Sequence, residues 1–159
     1  MCSKKNDHLF DEADRLSEQG RHTEAFEIFL RLANDGNAYA MSRLAIIYCD
    51  GLGTKKDFDE SIKWDLRAID SGDIASMSNL ALTLCQQRKF LEARNWFEKA
   101  IAAGDGDAAL ELAKLLQVSV LERENVKFLL KTTIESNFVT QASVEEAGAL
   151  LAQIERTDS

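Results

Sequence analysis

Few residues in this 159-residue chain could act as nucleophiles, general bases or soft metal ligands, since it has only two histidines and three cysteines. His8 and His22 both lie near the amino terminus, away from any glycine-rich elbow that could present a nucleophile. Cys2 and His8 have no second pair at the spacing of zinc ligands. The sequence therefore predicts no catalytic triad, no metal site and no cofactor site.

Carboxylates are the remaining candidates for chemistry. Asp11, Glu12 and Asp14 are close in sequence, but on a helix they point in different directions, which favours a solvated first turn. A hydrolase with paired carboxylates, using Asp14 or Asp50, stays open as an alternative. We expect no enzymatic activity.

The elements that must position these residues follow a repeat. Four alanines stand in similar helical contexts at intervals of 32, 36 and 32 residues: Ala13, Ala45, Ala81 and Ala113. Four helix-ending residues follow at intervals of 36, 32 and 33: Gly36, Gly72, Gly104 and Asn137, each at a point where a left-handed cap is expected. Periods of this length are typical of stacked helix pairs, and the complete absence of proline favours uninterrupted helices.

Within the pairs, a large-small-large stripe recurs at helical spacing as Leu44, Ala45, Tyr48; Leu80, Ala81, Leu84; and Leu112, Ala113, Leu116. On the second helices Trp64 aligns with Ile28, Trp96 and Leu129, which we interpret as core residues. The second repeat is longer because its loop, DGLGTKKD, has four more residues than the turn QQRK. Asp57 is expected to cap the next helix, with Glu60 completing a capping box.

The segment from Ala40 to Gly72 resembles one complete Sel1-like repeat, the longer-looped relative of the tetratricopeptide repeat. The features that match are Leu44, Ala45, Tyr48, Gly51, Gly53, Asp57, Trp64, Ala68 and Gly72. Ser61 and Asp65 depart from the pattern, since the family usually has alanine and an aromatic residue there. The flanking repeats read more like tetratricopeptide units.

The expected fold is all-α: a single domain, residues 1–159, forming an α/α superhelical solenoid of four helix-turn-helix repeats plus a C-terminal capping helix. The repeats are placed at about residues 7–37, 38–73, 74–105 and 106–137. The capping helix is placed at 143–156, with a capping box at Ser143 to Glu146, and the total is nine helices.

The resemblance implies an adaptor or scaffold that binds another protein on its concave face, which the first helices of each pair would line. The predicted partner-binding residues are Phe10, Asp14, Tyr39, Ser42, Arg43, Ile46, Cys49, Asp50, Ser78, Asn79, Leu82 and Gln86. Ile46 and Leu82 are large apolar residues that recur 36 residues apart. They form either an exposed hot spot or a pair that packs together. Cys49 and Cys85 recur at one position and are expected to be unbridged.

The net charge and the amino-terminal sequence restrict the kind of partner and the cellular compartment that we expect. The formal net charge of −8 disfavours nucleic acid and is compatible with a basic protein partner, although acidity also simply promotes solubility. No apolar run is long enough to cross a membrane and no export signal begins the chain, which predicts a cytoplasmic protein with reduced thiols. We expect a monomer that binds another protein, in its sharpest version an inhibitor or immunity protein for a toxin or effector. The alternatives are the carboxylate hydrolase and a self-associating scaffold.

Overall fold

The predicted all-α class is confirmed. A computed structural model of the chain describes residues 3–116 and 123–157, and in these ranges it contains nine α-helices and no strand. The helices are α1 (Ser3–Glu18), α2 (His22–Asn34), α3 (Ala38–Asp50), α4 (Phe58–Asp70), α5 (Ala75–Gln86), α6 (Phe90–Ala102), α7 (Gly106–Leu116), α8 (Arg123–Glu135) and α9 (Gln141–Thr157).

The chain divides into two compact units, Met1–Lys89 and Phe90–Ser159. In the first unit, α1 packs on α2, α2 on α3, α3 on α4 and α4 on α5, and α3 also contacts α5. In the second unit, α6 packs on α7, α7 on α8 and α8 on α9. Each helix therefore buries its apolar stripe against its neighbours in the chain, as helical repeats do.

The repeating alanines lie on the buried faces of their helices. Ala13, Ala45, Ala81 and Ala113 are all buried, and so are the leucines that precede three of them, Leu44, Leu80 and Leu112. A methyl side chain lets two helices approach more closely than a larger residue would, while the flanking leucines fill the space beside it. The predicted large-small-large stripe is thus a core stripe, although Tyr48 and Leu116 at its ends are only half-buried.

On the second helix of each pair, the most deeply buried position lies one residue after the position predicted for the core. In the predicted core column, Trp64 and Leu129 are buried but Ile28 and Trp96 are only half-buried. The interpretation of Trp96 as a core residue is therefore wrong. Its ring is partly exposed, and the ammonium of Lys99 lies 3.8 Å from its centre.

The completely buried column is the next position along each helix. We call it the inner column, and its members are Phe29, Asp65, Phe97 and Leu130, with exposed fractions of 0–1 %. Three of them are large and apolar, as expected of a helix face pressed against the core. Asp65 is the exception, because it places a carboxylate where the other repeats have a hydrophobic side chain.

The glycine loop between α3 and α4 is held by its two glycines. Gly51 ends α3 with a φ of 74° and Gly53 follows with 77°, both in the left-handed region that favours glycine. Asp57 then caps α4, as predicted: its side chain accepts from the backbone nitrogens of Asp59 and Glu60 at 3.0 Å. The capping-box half of that prediction is wrong, since the Asp57 nitrogen donates to the Tyr48 carbonyl at 2.8 Å and Glu60 pairs with Lys63.

Two predicted helix ends also need correction. Gly36, Gly72 and Gly104 adopt positive φ as expected, whereas Asn137 does not. The segment after α8 instead bonds to α7, because Phe138 accepts from the Gly106 nitrogen at 3.0 Å. The capping helix α9 begins at Gln141 rather than residue 143, since Thr140 and not Ser143 supplies the cap: the Thr140 hydroxyl accepts from the Ser143 nitrogen at 3.2 Å.

Candidate protein-binding face

Helices α3 and α5 are joined by side-chain bonds between residues that were predicted to bind a partner. The Asn79 amide nitrogen donates to Ser42 Oγ at 3.2 Å. Cys49 Sγ accepts from Gln86 Nε2 at 3.2 Å and from Thr83 Oγ1 at 3.5 Å. Ser42 and Cys49 are buried and hold the two helices together, although Cys49 also lines the cavity between these helices. Their part in partner binding stays a prediction.

A small cavity of about 120 Å³ opens between these helices. The nine lining residues are Ala45, Ile46, Cys49, Asp50, Asp65, Asn79, Leu82, Thr83 and Gln86. Six of them are among the twelve predicted partner-binding residues, so the structure brings half of that set together at one place. We call this feature the α3–α5 cavity.

The rim of the α3–α5 cavity combines apolar and polar side chains. Leu82 is 40 % exposed and Ile46 is half-buried, so the predicted pair does share one site and leaves apolar surface open to solvent. Asp50 and Gln86 are exposed. The Lys56 ammonium, which comes from the glycine loop, donates to Gln86 Oε1 at 3.0 Å and lies 4.7 Å from the Phe58 ring centre.

Asp65 is the residue of the α3–α5 cavity with no exposed surface. Neither of its carboxylate oxygens has a hydrogen-bond partner in the described part of the chain. Burial, reinforced by the negative charge of Asp73, raises the pKa of Asp65 to about 8. The hydroxyl of the neighbouring Ser76 donates to Asp73 Oδ2 at 2.6 Å. The nearby Ser76 hydroxyl lowers the pKa of Asp65 in part, but it does not offset the effect of burial.

A second group of predicted residues lies on α1 and α3. The rings of Phe10 and Tyr39 meet edge to face with centres 5.4 Å apart. The Tyr39 hydroxyl donates to Asp14 Oδ2 at 3.4 Å, and Arg43 Nη2 lies 3.3 Å from Asp14 Oδ1. Partial burial and the nearby Asp14 charge raise the pKa of Tyr39, so its hydroxyl remains a donor at neutral pH. Tyr39 is nevertheless 50 % exposed, and the group forms a partly open aromatic surface.

The remaining candidates do not form a site. Ser78 is half-buried and does not line the α3–α5 cavity. His8 is exposed and His22 half-buried, each in a different helix. Cys2 lies outside the described residues, and neither Cys49 nor Cys85 is disulfide-bonded. Across residues 3–116 and 123–157, no group of three side chains could hold a metal ion, and no helix is both long and apolar enough to cross a membrane.

Sequence reasoning missed three residues of the α3–α5 cavity: Ala45, Asp65 and Thr83. A signal for Asp65 was present, since it departs from the repeat pattern next to Trp64. Its placement inside the protein could not be read from that departure, because an isolated aspartate in a helical pattern is normally solvated. Its exposed fraction of 0 % shows the burial directly, and Phe29, Phe97 and Leu130 are buried at the same position of the other repeats.

Comparison with known proteins identifies the repeats. The Sel1 repeat model matches residues 38–73, and a tetratricopeptide repeat model matches residues 74–104. A curated relative is the ERAD-associated E3 ubiquitin-protein ligase component HRD3A of Arabidopsis thaliana. It is 36 % identical over 63 residues, which make up 39 % of this chain and 9 % of that protein.

Two solved structures are similar as well. A Sel1 repeat protein from Oxalobacter formigenes is 25 % identical with a TM-score of 0.65, over 79 % of this chain and 54 % of that one. A protective antigen of uropathogenic Escherichia coli with an SLR fold has a TM-score of 0.68 at 18 % identity, over 91 % and 33 % of the two chains, and shows the fold alone. The present chain spans at most 54 % of the length of these three relatives.

Repeats of both kinds generally mediate protein–protein interactions and generally serve as non-catalytic scaffolds. The glycine loop, the cap at Asp57 and the stripe of Leu44 and Ala45 are the local features that the sequence shares with the first kind. The chain is therefore an all-α protein in which residues 38–73 match the Sel1 repeat model and residues 74–104 match a tetratricopeptide repeat model.

Proposed function

We propose that this protein is a non-enzymatic binding module whose protein partner docks on the face formed by α3 and α5. The observation that carries the proposal is the α3–α5 cavity, where Ile46 and Leu82 leave apolar surface beside the polar side chains of Asp50 and Gln86. An apolar centre with a polar rim is the usual anatomy of a protein-binding hot spot.

The aromatic group on α1 and α3 extends this face. Phe10 and Tyr39 present rings at its edge, and Arg43 is held between Asp14 and the face of Phe29, whose centre lies 5.5 Å from the guanidinium carbon. Tyrosine and arginine are enriched at the energetic centres of interfaces. Ser42 is buried and Cys49 lies in the cavity wall, so the exposed and half-buried surface proposed for the partner comprises Phe10, Asp14, Tyr39, Arg43, Ile46, Asp50, Ser78, Asn79, Leu82 and Gln86.

The experiment uses a matched pair of leucines. Leu82 on α5 and Leu66 on α4 are each 40 % exposed in the first unit, but only Leu82 lines the α3–α5 cavity. Partners are captured from the native host and identified by mass spectrometry, and the best one is purified for titration. The Ile46→Asp, Leu82→Asp double variant is expected to lose binding by at least about 100-fold, since each hot-spot residue contributes 2 kcal/mol or more. Leu66→Asp is expected to bind normally. Normal binding by the double variant would place the site elsewhere.

The finer proposal is that the partner is a basic toxin or effector that this protein inhibits. The net charge of −8 supports a basic partner, because opposite charges steer the encounter. The association rate is then expected to fall as salt rises, and the purified chain should suppress the partner's activity. An association rate that is insensitive to salt would contradict the electrostatic part of the proposal.

We also propose that the protein works in the cytoplasm and that it is a monomer. Sedimentation that depends on protein concentration would contradict the monomeric state.

A hydrolase is a second candidate, favoured by one observation: Asp50 and Asp65 line the same cavity, and burial raises the pKa of Asp65 to about 8. A buried carboxyl group with a raised pKa beside a second carboxyl group can supply acid–base catalysis. Hydrolysis of any member of a broad substrate panel, abolished by Asp65→Asn or Asp50→Ala, would favour this candidate. We expect no such activity.

The third candidate function is a self-associating scaffold. It is tested by the sedimentation measurement described above for the monomer.

A further inference from the structure

The inner column contains one carboxyl group that packing does not explain. Phe29, Phe97 and Leu130 fill this position in the other repeats, whereas Asp65 places two unpartnered oxygens there. Burying a carboxyl group without a partner is unfavourable, because its charge must be desolvated or neutralised by a proton, and a hydrophobic residue of similar size would avoid that cost. Asp65 also lies in the wall of an open cavity rather than in sealed core. A group that is unfavourable for folding and faces a cavity is a candidate for ligand binding.

The polar groups around the cavity determine the kind of ligand that fits. Thr83 donates to Cys49, and Asn79 donates to Ser42 through its amide nitrogen. These bonds engage the Thr83 hydroxyl and one hydrogen of the Asn79 amide, while the carboxyl groups of Asp50 and Asp65 are acidic acceptors in the lining. A ligand that is rich in donors and lacks acceptors therefore matches the site. An ammonium group has three donors and no acceptor, and it is compact enough for a cavity of about 120 Å³.

We propose that the α3–α5 cavity receives the ammonium group of a lysine side chain from the partner protein, which pairs with the Asp65 carboxylate. The inference rests on the proposed protein-binding function of the same face. The rim suits a lysine stem, because Ile46 and Leu82 can cover its methylene groups while Asp50 adds negative charge near the entrance. Since the Asp65 oxygens have no exposed surface, the lining side chains must move slightly to admit the ligand.

Binding should be coupled to a proton. Burial and Asp73 raise the pKa of Asp65 to about 8, so at neutral pH the free protein holds a proton that an arriving ammonium displaces into solvent. Affinity therefore rises as the pH approaches 8. The other titratable groups that face Asp65 or the cavity are Cys49 and Asp50 on α3 and Lys56 at the rim. Lys56 is the chain's own competitor for the site.

The test uses the full chain and Nα-acetyl-lysine methylamide as the probe, followed by nuclear magnetic resonance at constant ionic strength. The expected result is a saturable shift of the side-chain amide signals of Asn79 and Gln86. The pKa of the Asp65 carboxyl group, followed through its carbon signal, should fall as well. The same derivative acetylated at Nε is the matched control, because it keeps the stem and lacks the charge. Asp65→Asn is expected to abolish the response, and Asp70→Asn, which changes an exposed carboxylate of α4 outside the cavity, is expected to retain it.

Several results would overturn the proposal. An equal response in Asp65→Asn or an unchanged Asp65 pKa in the wild-type chain would do so. A response to Nα-acetyl-arginine methylamide but not to the lysine derivative would do so too. The wild-type pKa measurement decides the matter even if the Asp65 variant fails to fold. A rise in the Asp65 pKa on Lys56→Gln would show that the chain's own lysine occupies the site, which also overturns it.

The probe experiment tests the lysine site and the partner experiment tests the protein-binding face, so their outcomes can be told apart. If the probe does not bind but the Ile46→Asp, Leu82→Asp variant loses its partner, the protein-binding face stands and the lysine site is wrong. If the probe binds but the double variant keeps its partner, the cavity is a free-amine site and the assignment to a partner lysine is overturned. Loss of the partner on Asp65→Asn, together with probe binding, is the combined result that the proposal predicts.

Discussion

Gly53 lies directly against the first residue of α2, so that a Cβ atom built on it would overlap the carbonyl group of His22. The same atom would stand 2.6 Å from the Thr23 nitrogen. Gly53 therefore meets two requirements at once, a left-handed backbone and a close approach to another helix. This contact is why the long loop of the second repeat needs glycine, and it ties the loop to the preceding helix pair.

Gly53→Ala is expected to destabilise the first unit more than Gly36→Ala. Both glycines have positive φ, at 77° and 91°, but a Cβ on Gly36 would meet nothing within 4 Å. The Gly36 variant should lose about 1–2 kcal/mol from backbone strain alone. The Gly53 variant should lose about 1–3 kcal/mol beyond that from the clash. Urea unfolding of both variants measures the difference, and equal losses would contradict the close approach.

The buried Asp65 should make stability depend on pH. Its pKa is about 8 in the folded protein and about 3.9 when unfolded, so between these values the unfolded chain releases a proton that the folded chain keeps. The protonated Asp65 carboxyl group makes its full contribution to the free energy of unfolding below about pH 4. This contribution is lost as the pH rises towards 8. Asp65→Asn removes this loss.

The advantage of Asp65→Asn in unfolding free energy should therefore be small near pH 4 and should grow by up to about 1.4 kcal/mol per pH unit towards pH 8. Asp70→Asn is the control, because Asp70 is an exposed carboxylate on the same helix. Denaturant unfolding across the pH range makes the measurement. A constant difference between the Asp65 variant and wild type would show that Asp65 ionises normally in the folded chain.

The two tryptophans should differ in their contributions to stability. Trp64 is 6 % exposed, and Trp64→Ala is expected to cost about 3–5 kcal/mol because it leaves a large cavity. Trp96 is half-buried, so Trp96→Ala should cost clearly less than Phe97→Ala, whose ring is completely buried. Chemical unfolding of the three variants distinguishes them. If Trp96→Ala loses as much unfolding free energy as Phe97→Ala, the core position predicted from the repeat alignment would be correct.

Much of the fold could be predicted from residue spacing. Ala13, Ala45, Ala81 and Ala113 predicted the helix contacts, and the loop glycines predicted the turns, because these features depend on local geometry. The register of the second helices could not be predicted, since Trp64 and Trp96 align in sequence while burial favours Phe97 over Trp96. A tryptophan has enough apolar surface to suit either position, so its residue type does not decide the choice.

The candidate site was predictable only in part, for a related reason. Ile46 and Leu82 stood out as apolar residues on an expected polar face, and the structure places both at one cavity. Ser42 and Cys49 read equally well as groove residues, and only their bonds to Asn79 and Gln86 show that they join α3 to α5. Asp65 could not be placed, because its burial depends on helices that pack against it from elsewhere in the chain.

Site-specific photo-crosslinking tests the proposed α3–α5 binding face most directly. A photoreactive phenylalanine is placed at Leu82 or at Leu66, two equally exposed positions of which only the first lines the α3–α5 cavity, and cells of the native host are irradiated. The proposal predicts a discrete covalent adduct with one protein from position 82 and none from position 66. An adduct from position 66 alone, or equal adducts from both positions, would contradict it.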